Sequence, residues 1–248
     1  MRGNIIGCRL YFFISLSNVF FAFGQTSTNN DVTYQWFDQI VGIENTALVN
    51  GIEYEEEHRA INDKTKFFKS KDFLNGTVTY KNQSYFGLQL KYDLYESNVL
   101  VRLPNRIGGT TLKLIKDEVQ DFTIDGHAFG VISDRDNNGA SFSGFYEKLF
   151  KGEYLGLYTK YKKNAVERTD KKSLYYEFIE GESEHLIQYQ TKFYRIEGKK
   201  DLVELFPEFK SEITAHYKRN KTKKKRRAGF FMSSLVNLID NRLIASKK

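Results

Sequence analysis

The sequence predicts a mainly β, α+β fold: an antiparallel β-sheet, as a sandwich or a partly open barrel, followed by two to three C-terminal helices. Three observations carry this. The chain of 248 residues has 21 Phe and 16 Tyr against two Pro, a balance that suits pleated, half-buried strands and argues against disorder. Between about residues 50 and 196, short alternating segments are punctuated by Asx-Gly pairs, the strongest local hairpin signal. At Lys199 the apolar spacing changes from two to that of a helix.

Residues 1–24 have the form of a secretory signal peptide. Arg2 and Arg9 supply positive charge, and Leu10 to Phe21 form the apolar run. Ala22-Phe23-Gly24 offers small residues for cleavage before Gln25. Ser15, Ser17 and Asn18 interrupt the run, which falls short of the ~20 apolar residues that span a bilayer. The expected address is therefore outside the cytoplasm, in the periplasm or associated with an outer membrane. No cysteine follows the apolar run at the cleavage point, so a lipid anchor is not indicated. The single cysteine, Cys8, lies inside this segment, leaving the mature chain without a disulfide framework, a thiol nucleophile or a thiolate metal site. Stability must then come from a packed core.

The formal net charge of +7 is unevenly spread. The signal carries +2, residues 218–227 carry +8 and residues 228–248 carry +2, so the body from 25 to 217 stands at −5. The expected organisation is a signal peptide (1–24), a β-rich domain (25–198) and a helical segment packed on it (199–248).

Taken in order, the Asx-Gly pairs are Asn50-Gly51, Asn75-Gly76, Asp125-Gly126 and Asn138-Gly139, each read as a turn. The clearest strand is Tyr85 to Asp93, with Phe86, Leu88, Leu90 and Tyr92 on the apolar face and Tyr85 opposite. Val99, Val101 and Leu103 continue the alternation after a turn at Asp93 to Asn98. Phe122 and Ile124, then Ala128 and Phe129, flank the Asp125-Gly126 turn. Further strands are expected at about 142–149, 154–163, 173–179 and 185–196. Asp201 to Phe206 reads as a short helix, and Pro207 suits the first position of another that aligns Phe209, Ile213, His216 and Tyr217. A third aligns Phe231, Met232, Leu235, Val236, Ile239 and Leu243, with Asn237, Asp240 and Asn241 on its opposite side and too much polarity to span a membrane.

Candidate chemistry is sparse. His58, His127, His185 and His216 follow no metal-ligand spacing, and His216 falls on an apolar helix face, where a core role is expected. Asp134-Arg135-Asp136-Asn137-Asn138-Gly139 opens like a calcium loop, but Phe145 stands where the bidentate Glu belongs, so a polar hairpin tip is expected. Gly139 to Ser143 approaches a nucleophile elbow, with Ser143 in place of the second glycine. Glu53, Glu55 and Glu57 alternate along a strand, as a solvated face or a carboxylate site. Trp36 is the sole tryptophan, so the aromatic wealth reads as core and cross-strand pairs.

The basic run is the least ordinary feature: Lys218, Arg219, Lys221, Lys223, Lys224, Lys225, Arg226 and Arg227. Such density would suit nucleic acid, but export argues against that partner. An anionic membrane surface, an acidic envelope partner, or a solvated helix end remain as readings.

Several segments together are similar to a family of uncharacterised exported proteins abundant in Bacteroidota-type bacteria. They are Asn50-Gly51-x-x-Tyr54; Gly76-x-Val78-x-Tyr80-x-x-Gln83-x-Tyr85 running into Leu88-x-Leu90-Lys91-Tyr92-Asp93; Gly144-Phe145-Tyr146-Glu147; Lys192-x-Tyr194; and Phe206-Pro207. The resemblance implies an address and no catalytic residue. The expected function is a non-enzymatic envelope binding or scaffold protein without a cofactor. The alternative is a hydrolase of envelope glycans or lipids acting through carboxylates that the sequence does not single out.

Overall fold

The computed structural model describes residues 46–60, 63–103, 110–135, 141–170, 173–220, 222 and 228–247. The signal segment, Trp36 and residues 136–140 of the calcium-like loop lie outside them.

A 3-10 turn at Ala47–Asn50 leads into thirteen strands: β1 (Ile52–Glu53), β2 (Leu74–Tyr80), β3 (Gln83–Asp93), β4 (Asn98–Arg102), β5 (Thr111–Lys113), β6 (Val119–Ile124), β7 (His127–Arg135), β8 (Ser141–Lys151), β9 (Leu155–Lys160), β10 (Lys163–Thr169), β11 (Leu174–Glu180), β12 (Glu184–Tyr189) and β13 (Lys192–Arg195). Helices α1 (Lys199–Leu205), α2 (Lys210–Arg219) and α3 (Ala228–Ser246) follow, with a 3-10 turn at Pro207–Phe209 feeding α2. Eleven strands make one antiparallel sheet in the order β1-β5-β4-β3-β2-β6-β7-β8-β9-β12-β13, while β10 and β11 form a separate hairpin. The end strands β1 and β13 do not pair with each other, so the sheet is not closed into a barrel. The mainly β, α+β class and the C-terminal helices are as the sequence predicts.

The turns depart from expectation in instructive ways. Asp125-Gly126 does close a hairpin, with φ of 48° and 77°, the two positive values that a right-handed ribbon requires. Asn75-Gly76 does not. It lies inside β2, where a Cβ on Gly76 would meet the carbonyl oxygen of Thr123 at 2.1 Å, so the glycine serves close strand approach rather than a turn. The β2–β3 turn is instead Lys81-Asn82, both at positive φ. Asn50-Gly51 ends the 3-10 turn and is not a hairpin. Residues 185–196 are two strands, β12 and β13, hinged at Gln190-Thr191.

Strict alternation also fails in β3. Gly76 pairs with Leu88 but Val78 pairs with Tyr85, an extra residue at Phe86-Gly87 with Gly87 at φ 64°. This bulge reverses the faces upstream of it, so Tyr85 is buried with Leu88, Leu90 and Tyr92, and Phe86 is not.

One face of the sheet carries two cores. The first centres on Tyr92, Phe122, Phe129 and Phe145, whose rings lie 4.8–5.9 Å apart. The second is where Leu155, Leu157 and Ile187 meet the helices through Leu202, Phe206, Ile213, Phe231, Leu235 and Ile239. Asp240 is a correction: rather than joining Asn237 and Asn241 in solvent, it is buried at 3 % exposure. Among the described residues no helix is long and apolar enough to cross a membrane.

Candidate binding groove on the open sheet face

Because side chains alternate, every strand that feeds the cores also presents a second face. On β6, β7, β8, β9, β12 and β13 that face bears Asp121, Gly130, Ile132, Tyr146, Lys148, Tyr158, Gln188 and Phe193, which line a groove of about 260 Å³. The helices pack on the other side of the sheet.

Glycine gives the groove its shape. A Cβ on Gly156 would lie 2.8 Å from the Tyr158 ring, so that side chain reaches back along its own strand over the glycine. A Cβ on Gly144 would meet Lys160 Nζ at 2.9 Å, and one on Gly130 would meet Lys148 Cε at 3.2 Å. Bare backbone thus lets two lysines and a tyrosine lie along the sheet instead of standing off it.

The polar groups are pre-positioned. The Tyr158 hydroxyl donates to Gln188 Oε1 at 2.9 Å, and the Tyr158 and Phe193 rings meet edge to face at 5.7 Å. Below them Tyr146, fully buried, donates to Glu184 Oε2 at 2.9 Å, while Arg195 pairs with Glu184 Oε1 at 2.8 Å. Burial, with that acidic neighbour, holds the Tyr146 hydroxyl well above the usual phenol range. Lys160 donates to the Ser143 carbonyl at 2.6 Å and lies 5.8 Å from the Tyr146 ring centroid. Partial burial pushes Lys160 down despite Glu184, and Lys116, Lys162 and Arg195 push the same way. Among the described residues, neither Lys148 nor Lys160 has a carboxylate within ion-pair distance.

None of these groove residues was singled out from the sequence as a binding residue, although Gly144 and Tyr146 fall in a segment of the family resemblance and a signal is present. Gly144-x-Tyr146-x-Lys148 and Gly156-x-Tyr158-x-Lys160 repeat one pattern on adjacent strands, and period two puts all six residues on one face.

The residues that the sequence did single out form structural ties. Glu147, buried at 4 % exposure, accepts from His127 Nδ1 and the Tyr161 hydroxyl. Next to it in register, Thr159 bonds His185 Nδ1 at 2.8 Å, which completes a polar seam between the two cores. Because β1 ends at Glu53, Glu53, Glu55 and Glu57 do not share a strand face, but the three exposed carboxylates line one groove of about 220 Å³ with Tyr54, Lys66 and Glu96. The engaged carboxylate is their neighbour Glu56, which accepts from the Tyr54 hydroxyl at 2.7 Å and pairs with buried Lys66 at 2.9 Å. Lys66 also reaches Asp93 Oδ2 at 3.0 Å.

His216 meets Ser234 at 3.2 Å, but the Ser234 hydroxyl donates to the Phe231 carbonyl and so accepts from the imidazole. That contact is a tie between α2 and α3. Ser143 sits within β8, not on a strand–turn–helix elbow. Asp134 and Arg135 end β7, and the rest of the calcium-like loop lies outside the described residues. Among the described residues no cluster of three His, Cys, Asp or Glu could hold a metal. Of the basic run, Lys218 and Arg219 are exposed at the C-terminus of α2, while Lys221, Lys223, Lys224, Lys225, Arg226 and Arg227 lie outside the described residues.

The fold and groove together define a mainly antiparallel β protein whose helices cover part of one face, while the groove on the other face lies over a small buried cluster of Phe142, Tyr146 and Leu186. No family model, curated protein or solved structure matches the chain.

Proposed function

We propose that the protein is an exported binding module of the cell envelope whose ligand seat is the open-face groove. One observation carries this reading: the Tyr158–Phe193 pair, tied to Gln188 and lined by Lys148, with Lys160 beside Tyr146 on the same face, forms a groove held by contacts within the protein. The hydrolase alternative finds no support in the buried carboxylates, which are already committed to structural partners, and would rest on the exposed Glu53, Glu55 and Glu57 of the second groove. Glu147 is held by His127 and Tyr161, Glu184 by Arg195 and Tyr146, Asp93 by Lys66, and Asp240 by backbone amides. The export address rests on the signal-like sequence of residues 1–24.

The test is amide NMR of the labelled protein titrated with separated envelope glycan, lipid and protein fractions. Shifts clustered on the outward positions of β6–β9, β12 and β13 are expected. Shifts confined to the helices, or breakdown of an added fraction, would overturn the reading.

The basic run supports a second contact. Lys218 and Arg219 are exposed on the helical side of the sheet, away from the groove. Held by that segment against an anionic lipid surface, the protein would turn the groove outward. Binding to anionic vesicles should weaken with salt, and neutralising Lys223, Lys224, Lys225, Arg226 and Arg227 should abolish it. Unchanged binding in that variant would remove the second contact.

A further inference from the structure

Building on the groove as the ligand seat, we infer that its occupant is an acidic saccharide: a chain segment whose sugar ring packs into the corner of the edge-to-face Tyr158–Phe193 pair and whose carboxylates face Lys148 and Lys160. Three features of the groove select this chemistry over others.

The first is the platform. Tyr158 packs closely over Gly156, and its hydroxyl donates to Gln188, so a ligand meets a ring that is held in place. Rigid aromatic side chains supply contact area with little ordering cost, and the C–H face of a pyranose is matched to such a surface. The half-buried amide of Gln188 beside it can bond sugar hydroxyls.

The second is charge. Glu184 and Arg195 pair at 2.8 Å, and among the described residues Lys148 and, beside it, Lys160 are the β8–β9 cations of this face without an ion pair. Asp121 stands at the β6 end and accepts from Thr79 at 3.1 Å. An acidic group is therefore attracted toward β8–β9 and repelled from β6, which orients the ligand across the strands.

The third is direction. The groove crosses six strands, of which β6, β7, β8, β9 and β12 are paired on both sides and only β13, at its end, keeps a free edge. An extended peptide lying across these strands runs athwart that edge and does not pair along it, as strand addition requires. A saccharide has no backbone amide run to satisfy and is recognised by side chains alone. The volume of about 260 Å³ lies below the usual range for pockets that enclose a ligand, about 300–1,000 Å³, and suits a chain that runs through.

The experiment is isothermal titration calorimetry of the full chain with a hexameric oligouronate, with a neutral hexameric glucan and with oligoglutamate of equal charge. The oligouronate is expected to bind, at least tenfold more weakly at high salt, and the other two at least tenfold more weakly than it. Lys148→Gln with Lys160→Gln should cost tenfold or more, and Tyr158→Ala should do the same. Lys218→Gln with Arg219→Gln should leave the affinity unchanged. Circular dichroism and urea midpoints establish that each variant is folded, and Tyr158→Phe, which keeps the ring, should retain binding.

Equal binding of the glucan, or preference for oligoglutamate, would overturn the acidic-saccharide assignment. If such binding still depended on Tyr158, the groove would stand as a ligand seat. Oligouronate binding that ignored all three groove substitutions would overturn the assignment. So would a lack of binding by the oligouronate, and if the envelope fractions also left the groove amides unshifted, the module reading would fall with it.

Discussion

Asp240, in the middle of α3, accepts the backbone N–H of Leu155 at 2.8 Å across 85 residues of sequence. The same carboxylate takes the amides of Tyr154 at 2.9 Å and Glu153 at 3.0 Å, so one side chain caps the β8–β9 turn and anchors the helix to the sheet. Gly152 allows the approach, since a Cβ there would lie 2.2 Å from Oδ2.

Asp240→Ala is expected to destabilise the fold by about 3 kcal/mol, because it strands buried donors that each cost about 1–3 kcal/mol when unpaired. Asp240→Asn keeps one acceptor oxygen and should cost less. Gly152→Ala should act in the same direction by displacing the carboxylate. Urea unfolding midpoints check all three.

Gly76 and Gly87 should respond differently to alanine. Gly87→Ala meets nothing within 4 Å and carries only the left-handed backbone term, about 1–2 kcal/mol. Gly76→Ala forces a Cβ onto the Thr123 carbonyl and should cost about 3 kcal/mol or more, with the β2–β6 pairing disturbed. Denaturation of the two variants, with amide exchange across β6, measures the contrast.

Lys66 is buried between Asp93 and Glu56. Burial alone would lower it, but the Asp93 charge and hydrogen bonds to Tyr54, Glu56 and Asp93 hold it above the ordinary ammonium range. Lys66→Met should therefore cost about 3–5 kcal/mol, because it leaves buried Asp93 uncompensated. Adding Asp93→Asn should recover part of that loss, since Asn keeps the oxygen that accepts the amides of Tyr95 and Glu96 at 2.9 and 3.0 Å. A double-mutant cycle with no recovery would contradict this account.

His185 makes stability depend on pH. Burial pushes its imidazole below the ordinary value of 6.5. Between the two values the unfolded chain holds more protons than the folded one, so acid favours unfolding. The contribution is fully present above about pH 6.5 and is lost as pH falls from there through the lowered folded value. Urea midpoints measured from pH 7.5 to 5 should fall less steeply in His185→Gln than in the parent.

How far the sequence could be read depended on the range of the physics involved. Asp125-Gly126 was legible as a hairpin because both turn residues state their φ preference locally. Asn75-Gly76 carries the same dipeptide, but its reason is the Thr123 carbonyl 47 residues on, which no local pattern contains. Tyr85 was assigned to the wrong face because a single bulge at Gly87 inverts every residue upstream of it. Asp240 looked like a polar-face residue because its partners are backbone amides, which have no signature in a string of side chains. The groove lysines were hidden for a related reason: a charge on a strand reads as solvated until its neighbours are known.

By itself the sequence determined the class of fold, the change from strands to helices at Lys199, the signal-like first 24 residues and the concentration of charge in 218–227. These follow from periodicity, composition and turn chemistry, which act over a few residues. Only the tertiary structure decided which face is covered and which is open, and that one face of β8 and β9 joins two Gly-x-Tyr-x-Lys segments into a groove. Strand order and register set those relations, and they arise from contacts between residues far apart in the chain.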